Sequence, residues 1–385
     1  EFNSGLKSIG EQAFAGCLEL ETLDLPAKVS WIAGGAFYKC GNLTTVDLTK
    51  TSLTDITAYC FGDCTKLKSI ELPNTVSSIW RVAFSGCTSL TEIKLSEAVT
   101  EIGKQAFSGC TSLTEIKLPK AVTEIGENAF EDGITFYVVA GSVMEAYMKN
   151  NNLPYKTYEV KKQEPTTEPT TEPTTEPTTE PTTEPTTEPT TEPTTEPTTK
   201  PSTPATQTTT KPGETKKPSA KSLIGKTVKK GKLQYKILST TGVSVKKPVK
   251  KTYKEIIIPK TIKYYGRTYK VTKIENKAFQ GCKSLKTVEL GNNVKKIGDS
   301  AFRDCTKLVN VMIGSNVTSI GKHAFRGCKK LKEIVITNYV KTIGDSAFQD
   351  CPSLAYITIG ARVEMIGKNA FRNDKKIKEI EIKTK

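Results

Sequence analysis

The sequence predicts a β-rich repeat solenoid, built as two arrays that a linker joins. The first observation is repetition: residues 87–107 read CTSLTEIKLSEAVTEIGKQAF, and residues 110–130 repeat this stretch with four differences. The second is a Phe that recurs every 23 residues, once 24, in two blocks. The third is a run of Thr, Pro and Glu between the blocks. Such a fixed period is typical of a solenoid, in which each unit buries its apolar face against its neighbours.

The recurring Phe defines the units and their alignment. Aligned on it, a unit reads V-x-x-I-G-x-x-A-F-x-G-C-x-x-L-x-x-I-x-L. Its tail alternates apolar and polar residues with period two, which predicts a short strand with one face buried. We expect the two Gly positions to relieve tight turns and the Ala to let coils approach closely. The aligned residues are Phe14, Phe37, Phe61, Phe84, Phe107 and Phe130, then Phe279, Phe302, Phe325, Phe348 and Phe371.

A linker separates the two arrays. Within residues 161–220 the stretch EPTT occurs nine times and is followed by a Lys-, Pro- and Thr-rich segment. Regular Pro and repelling Glu side chains favour an extended, disordered spacer. We therefore expect array 1 over residues 1–160 and array 2 over residues 279–385, each moving as an independent body.

Charge is distributed unequally between the arrays. Residues 1–160 carry 13 Lys and Arg against 19 Asp and Glu, for a net charge of −6. Residues 221–385 carry 37 against 12, for a net charge of +25. The net charge of +15 for the whole chain therefore arises in array 2, and we expect the arrays not to share an anionic partner.

The unit resembles the BspA-type bacterial leucine-rich repeat, which has the same L-x-x-I-x-L-P-x-x-V-x-x-I-G-x-x-A-F-x-G-C order. The resemblance covers eleven units and implies a β-rich leucine-rich repeat solenoid with two right-handed arrays of about 23-residue units. It also implies a closing helix after Gly141 and a β-rich opening cap over residues 221–278. Array 1 would then have six units, a truncated start and a C-terminal cap, and array 2 five units. The sequence would be part of a longer protein.

Cys and His do not form a recognisable reactive or metal-binding pattern. Nine of the ten Cys stand three residues after the repeat Phe, which predicts a parallel ladder of buried thiols rather than disulfides or zinc ligands. The one His, His323, precedes an Ala-Phe at a variable position, and we expect it to be solvated. Carboxylates occupy outward positions, unlike the paired acids of a glycosidase. We predict no catalytic residue, no metal, no cofactor and no enzymatic activity.

The strand face of array 2 is one candidate binding surface. Residues 8 and 10 places after each Phe are expected to face outward in two columns, the kind of surface on which solenoids bind partners. In array 1 these columns are polar and mildly acidic, whereas in array 2 they include Met312, Val335 and Tyr356 with acidic neighbours. Ordinary strand propensity is the alternative explanation, because Val and Tyr favour strands.

A basic edge on array 2 is the second candidate surface. Its basic side chains recur 1, 4, 5 and 7 places after the Phe, so that stacked coils align them along one edge. Such an edge either keeps the protein soluble or captures a polyanion such as an anionic cell-wall polymer or a charged glycan. Nucleic acid is not expected, because aromatic side chains do not alternate with the basic ones. The residues predicted to contact a ligand here are Arg303, Arg326, Lys329, Lys330 and Lys332.

The residue pattern and the family resemblance together predict an extracellular, non-enzymatic binding scaffold at the bacterial cell surface. The resemblance implies an adhesin that recognises host extracellular or cell-surface proteins, other cells or glycans. One alternative is a structural stalk or cell-wall spacer. Another is a substrate-binding accessory part of a larger carbohydrate-active protein. No apolar run is long enough to cross a membrane, and no signal sequence is present in this stretch.

Overall fold

Each unit forms one coil with two short strands, and successive coils stack in parallel. The computed structural model describes residues 5–150, 152–159 and 218–384. Nearly all of the predicted linker lies outside the described residues, as do residues 1–4. The repeated pattern of inward apolar and outward polar side chains confirms the predicted β-solenoid.

The tail of each unit forms the longer strand, and these strands make the front face. Outward positions are exposed and the residue between them is buried, as predicted for residues 8 and 10 places after the Phe. The front-face strands of array 1 are Thr22–Asp24, Thr45–Asp47, Ser69–Glu71, Glu92–Lys94 and Glu115–Leu118. Those of array 2 are Glu255–Ile258, Thr287–Leu290, Asn310–Met312, Glu333–Ile336, Tyr356–Ile359 and Glu379–Ile382.

The V-x-x-I segment of each unit forms a second strand, and these strands make the back face. In array 1 they are Ser8–Ile9, Trp31–Ile32, Asp55–Ile56, Ser78–Ile79, Glu101–Ile102 and Glu124–Ile125. In array 2 they are Arg267–Ile274, Lys296–Ile297, Ser319–Ile320, Thr342–Ile343 and Met365–Ile366.

The repeat Phe rings form a continuous stack inside the solenoid. Neighbouring ring centroids lie between 4.9 Å and 5.6 Å apart with nearly parallel planes. This spacing follows from the separation of adjacent parallel strands, about 4.8 Å. The Gly after the repeat Ile allows adjacent coils to approach closely, since a Cβ added to Gly103 would lie 2.6 Å from the Arg81 backbone nitrogen. The Gly before the Cys serves the turn, as Gly109 has φ of 79°.

The ends of the arrays differ in structure. Array 1 closes with the strand Thr135–Val139, the helix Val143–Asn150 and the strand Tyr155–Tyr158. Met144 and Met148 of the helix are buried and cover the end of the core. Array 2 opens with a 3₁₀ turn at Lys221–Leu223 and the strands Thr227–Lys230, Leu233–Ile237, Gly242–Pro248 and Thr261–Tyr264. These strands pair mainly antiparallel.

The structure differs from the expectation that the arrays are independent bodies. The last coil of array 2 stacks on the first coil of array 1, and both arrays belong to one unit. Met365–Ile366 pairs in parallel with Ser8–Ile9. The backbone N–H of Phe371 donates to the Ala13 carbonyl at 2.7 Å. We call this contact between residues 361–378 and residues 5–20 the junction. The end coils of the two arrays thus pair in the same parallel way as neighbouring repeats do.

Candidate binding surfaces

The front face of array 2 exposes a row of apolar side chains. Met312, Val335 and Tyr356 are 59, 55 and 55 % exposed, so they point outward as predicted. Ile257, in the first front-face strand of the cap, is 68 % exposed and lies in the column of Met312 and Val335, whereas Tyr356 lies in the neighbouring column. We call these four side chains the apolar row. Sequence reasoning missed Ile257 because the cap lacks a repeat Phe, although EIIIP matches the unit's x-I-x-L-P segment.

Acidic side chains surround the apolar row. Glu289 pairs in register with Ile257 on one side and with Met312 on the other. Glu333 stands directly opposite Tyr356 in the next coil. The row is therefore interrupted by carboxylates, and a partner would have to combine apolar contacts with positive charge.

The basic edge lies beside the front face. Lys329, Lys330 and Lys332 are exposed, and Lys332 immediately precedes the strand Glu333–Ile336. The backbone carbonyl of Lys332 accepts a hydrogen bond from Ala355, so the ladder of backbone hydrogen bonds fixes this part of the edge. A ligand bound to these lysines would thus lie next to a ligand bound to the apolar row.

The two arginines of this edge are engaged within the protein. A nitrogen of Arg303 lies 3.4 Å from a carboxylate oxygen of Asp304. Arg326 donates from Nε to Asp350 at 3.3 Å and is only partly exposed. Both arginines are therefore less available to a polyanion than the three lysines.

The cysteines are buried and make a regular hydrogen-bond pattern. All ten are free thiols within the core, which confirms their predicted burial. In eight of the nine ladder cysteines Sγ–H donates to the Phe carbonyl of the adjoining coil, for example Cys40 to Phe14 at 3.3 Å and Cys305 to Phe279 at 3.2 Å. Burial raises the pKa of Cys40 to about 12. Because the thiolate is the nucleophile and the metal ligand, burial disfavours reaction of these thiols in the folded protein.

His323 is less exposed than the sequence suggested. Its Nδ1 is buried and has no hydrogen-bond partner among the described residues. Burial, together with the positive charges of Arg326 and Arg303, holds its pKa below the usual value. The imidazole is therefore half-buried rather than fully solvated, at a turn residue with φ of 55°. Within the described ranges no group of three or more His, Cys, Asp or Glu side chains could hold a metal ion.

The front face of array 1 is polar, as its sequence columns predicted. Glu71 and Lys94, on adjacent strands, form an ion pair at 3.2 Å. A groove of about 730 Å³ lies over this face, with Glu92, Glu115 and Tyr137 among its lining residues. The two arrays therefore present front faces of different chemistry.

Stacked leucine-rich units with exposed strand faces define this chain as a leucine-rich repeat scaffold. The family model described as the BspA type leucine rich repeat region, in six copies, matches residues 1–88, 35–138 and 254–378. These ranges span more than half of the chain, and the chain belongs to the BspA-type leucine-rich repeat family. Proteins of this family are repeat scaffolds rather than a class of enzymes. Within the described residues no helix is both long and apolar enough to cross a membrane.

Several solved structures are similar to this chain. A leucine-rich cell surface protein from Faecalibacterium prausnitzii A2-165 is 23% identical with a TM-score of 0.37, over 98% of this chain and 76% of that chain. The T. pallidum leucine-rich repeat protein is 30% identical with a TM-score of 0.37, over 39% of this chain and 68% of that chain. A leucine-rich repeat protein from Bacteroides ovatus ATCC 8483 is 21% identical with a TM-score of 0.29, over 97% of this chain and 82% of that chain. A comparison with curated proteins finds no match.

Proposed function

We propose that this chain is a non-enzymatic extracellular scaffold of the bacterial cell surface, which binds proteins through the front face of array 2. The observation that carries the proposal is the apolar row, with four large side chains more than half exposed on the front face. Large exposed apolar groups grouped on one surface are typical of interaction sites. The cell-surface designation of the Faecalibacterium protein supports the proposed location.

The partner is a protein surface with apolar groups and basic side chains. Apolar contacts with Met312, Val335 and Tyr356 would supply most of the binding free energy, because burial of apolar area contributes roughly 25 cal/mol per Å². The carboxylates of Glu289 and Glu333 would select positively charged neighbours. Host extracellular or cell-surface proteins are the class of partner that we propose, which makes the chain an adhesin.

The experiment compares the full chain with a variant in which Met312, Val335 and Tyr356 are replaced by Ser. Both are screened against immobilised extracellular-matrix and cell-surface proteins. We expect the variant to bind at least about tenfold more weakly, which corresponds to about 1.4 kcal/mol. Exposed replacements of this kind change stability by about 0.5 kcal/mol or less, so the fold should persist.

The matched control replaces Glu92, Lys94 and Glu115 by Ser, which are outward positions of the array 1 front face. This control should bind as the parent does. Equal binding by the array 2 variant would exclude the apolar row as the docking surface. Failure of the parent to bind any protein would favour the alternatives, a stalk that spaces another domain or an accessory part of a carbohydrate-active protein.

The exposed lysines support a second candidate function. The basic edge of array 2 contains the exposed residues Lys329, Lys330 and Lys332, and the net charge of this array is strongly positive. We propose that this basic edge holds an anionic polymer of the cell wall or an anionic glycan. Such binding would orient the front face without occupying it.

A further inference from the structure

The repeat pattern breaks at one place on array 1, and the break produces a cleft. At the position two residues before the repeat Phe, ten coils have a non-glycine residue in the left-handed backbone conformation, with φ between 52° and 60°. The second coil has Gly35 at this position. One residue earlier, coils two and three have Gly34 and Ala58, where the fourth coil has Arg81. Three missing side chains in adjacent coils leave a depression in an otherwise filled surface.

The depression is a cleft of about 530 Å³ with aromatic walls. A Cβ added to Gly35 would lie 3.3 Å from Cγ of Gln12 and 3.6 Å from Cβ of Tyr38, so Gly35 forms its floor. Tyr38 and Tyr59 meet edge to face, with ring centroids 6.0 Å apart at 83°. The Arg81 guanidinium lies 5.3 Å from the Tyr59 ring centroid. We call this depression the tyrosine cleft.

Both tryptophans of the chain stand beside the tyrosine cleft. Trp31 precedes the lining residue Ala33 by two positions, and Trp80 immediately precedes Arg81. Their rings lie 6.3 Å apart at 74° and are 42 and 44 % exposed, which is unusual for side chains of this size. Asp55, from the coil between them, accepts a hydrogen bond from Trp80 Nε1 at 3.1 Å. The aromatic pair is therefore held in place at the surface.

These side chains limit the charge of a ligand. A cation would be repelled by the positive charges of Arg81, near the Tyr59 ring, and Lys39, near the Tyr38 ring. A polyanion would meet the carboxylates of Asp55 and Glu11 and the net charge of −6 on residues 1–160. An uncharged ligand with flat apolar faces and many hydroxyl groups avoids both penalties.

We propose that the tyrosine cleft and the tryptophan pair bind an uncharged oligosaccharide. The apolar C–H face of a pyranose ring fits against an aromatic plane, since aromatic rings combine a large apolar area with a polar tip. The hydroxyl groups of the sugar have hydrogen-bond partners in Gln12 and Arg81, which line the cleft. The volume suits one or two sugar rings, and the tryptophan pair extends the contact to a longer chain.

This site is independent of the proposed function. It lies on array 1, whereas the apolar row and the basic edge lie on array 2. Loss of protein binding through Tyr356 would leave oligosaccharide binding unchanged, and the reverse holds for variants of the tyrosine cleft.

The experiment is a fluorescence titration of the full chain. Trp31 and Trp80 are the only tryptophans, so fluorescence excited selectively in tryptophan reports on this pair. The probes are tetrasaccharides of β-1,4-glucan, α-1,4-glucan, β-1,4-xylan, β-1,4-mannan and chitin. We expect a saturable fluorescence change with at least one of them at millimolar concentration. No change with any probe would overturn the proposal.

The decisive variant is Gly35→Asn, which fills the floor of the tyrosine cleft. Asn128 and Asn369 occupy the same repeat position with φ of 52° and 54°, so the backbone accepts Asn there. We expect the apparent Kd to rise by at least about tenfold. The control Lys277→Asn places the same residue in the same column of array 2, at an exposed left-handed position with φ of 60°, and should bind as the parent does. Unchanged binding by Gly35→Asn would overturn the proposal, as would a proline-rich peptide that binds in place of every sugar.

Discussion

Phe371 stacks on Phe14 with ring centroids 5.2 Å apart and planes within 7°, although the two residues come from opposite ends of the chain. The geometry matches the contact between Phe14 and its sequence neighbour Phe37, at 5.5 Å and 2°. The core of array 2 therefore continues into that of array 1 without a change in packing. Backbone pairing and ring stacking at the junction are of the same kind as between repeats.

The first prediction concerns the junction and uses Gly10. A Cβ at Gly10 would lie 2.5 Å from the carbonyl carbon of Gly367, a distance at which the backbones must separate. We expect Gly10→Ala to weaken the junction by about 1–3 kcal/mol through overpacking. Small-angle scattering should then show a larger radius of gyration than that of the parent.

The matched control for the junction is Gly41→Ala. A Cβ at Gly41 would lie 3.6 Å from the Thr65 hydroxyl, an ordinary contact, so this variant should scatter as the parent does. Equal radii of gyration for the parent and Gly10→Ala would mean that the arrangement of the two arrays does not depend on this contact. A parent that is already extended in solution would support two independent arrays.

The second prediction concerns Asp374, which takes the position of the repeat Cys in the last coil. Its Oδ1 accepts a hydrogen bond from the Cys351 N–H at 2.7 Å, while Oδ2 is buried without a hydrogen-bond partner among the described residues. Burial raises the pKa of this carboxyl well above its usual value, and the charge of Asp350 adds to the effect. The buried thiols of Cys17 and Cys351 lie on the adjoining coils.

The direction of the pH dependence follows from the raised pKa. The folded state holds the proton more tightly than the unfolded state. Below the ordinary pKa of about 4 the carboxyl is protonated in both states, and its burial then involves no charge. Stability is then lost as pH rises through the raised pKa, because a charge must be buried. Asp374→Asn removes this cost, and we expect it to stabilise the fold by on the order of 1–3 kcal/mol near neutral pH.

Thermal melts of the parent and Asp374→Asn across mildly acidic to neutral pH provide the measurement. The difference in Tm should grow as pH rises. Asp24→Asn is the control, because Asp24 is exposed and pairs with Lys50 at 3.6 Å. A difference in Tm that is independent of pH would show that Asp374 does not titrate within this range.

The third prediction concerns the thiols. Because burial raises the pKa of Cys40 to about 12, iodoacetamide should not label the ladder in the folded protein. After denaturation without reductant, all ten thiols should react, as counted by mass spectrometry. Recovery of several intact disulfides would contradict the structure of the cysteine ladder.

The fourth prediction concerns the basic edge. Replacing Lys329, Lys330 and Lys332 by Gln should weaken binding to heparin or teichoic acid by about tenfold or more. Binding by the parent should fall steeply with added salt, because exposed charges are screened over about 8 Å at physiological ionic strength. Titrations at several salt concentrations measure both the affinity of each variant and its dependence on salt.

Arg326→Gln serves as the comparison for the lysines. Its guanidinium is engaged by Asp350, so we expect a smaller loss of polyanion binding than for any one lysine. Binding that is insensitive to salt, or unchanged in the triple lysine variant, would mean that the basic edge only maintains solubility.

The repeating coil can be predicted from the amino-acid sequence alone. Period-two alternation around residues such as Ile116 and Ile334 fixed which side chains point inward, because a strand places successive residues on opposite faces. The outward positions of Met312, Val335 and Tyr356 followed from the same rule. The burial of the cysteines followed from their fixed distance to the repeat Phe.

The way in which separate coils combine becomes visible in the three-dimensional structure. The junction between Phe371 and Phe14 depends on two distant surfaces that meet, which no local pattern encodes. The tyrosine cleft likewise depends on what adjacent coils omit, since Gly35 forms a floor only because Gln12 and Tyr59 stand on either side of it in the stack. Sequence periodicity determines the direction of each side chain, whereas the contacts between side chains on different coils depend on the register of the whole stack.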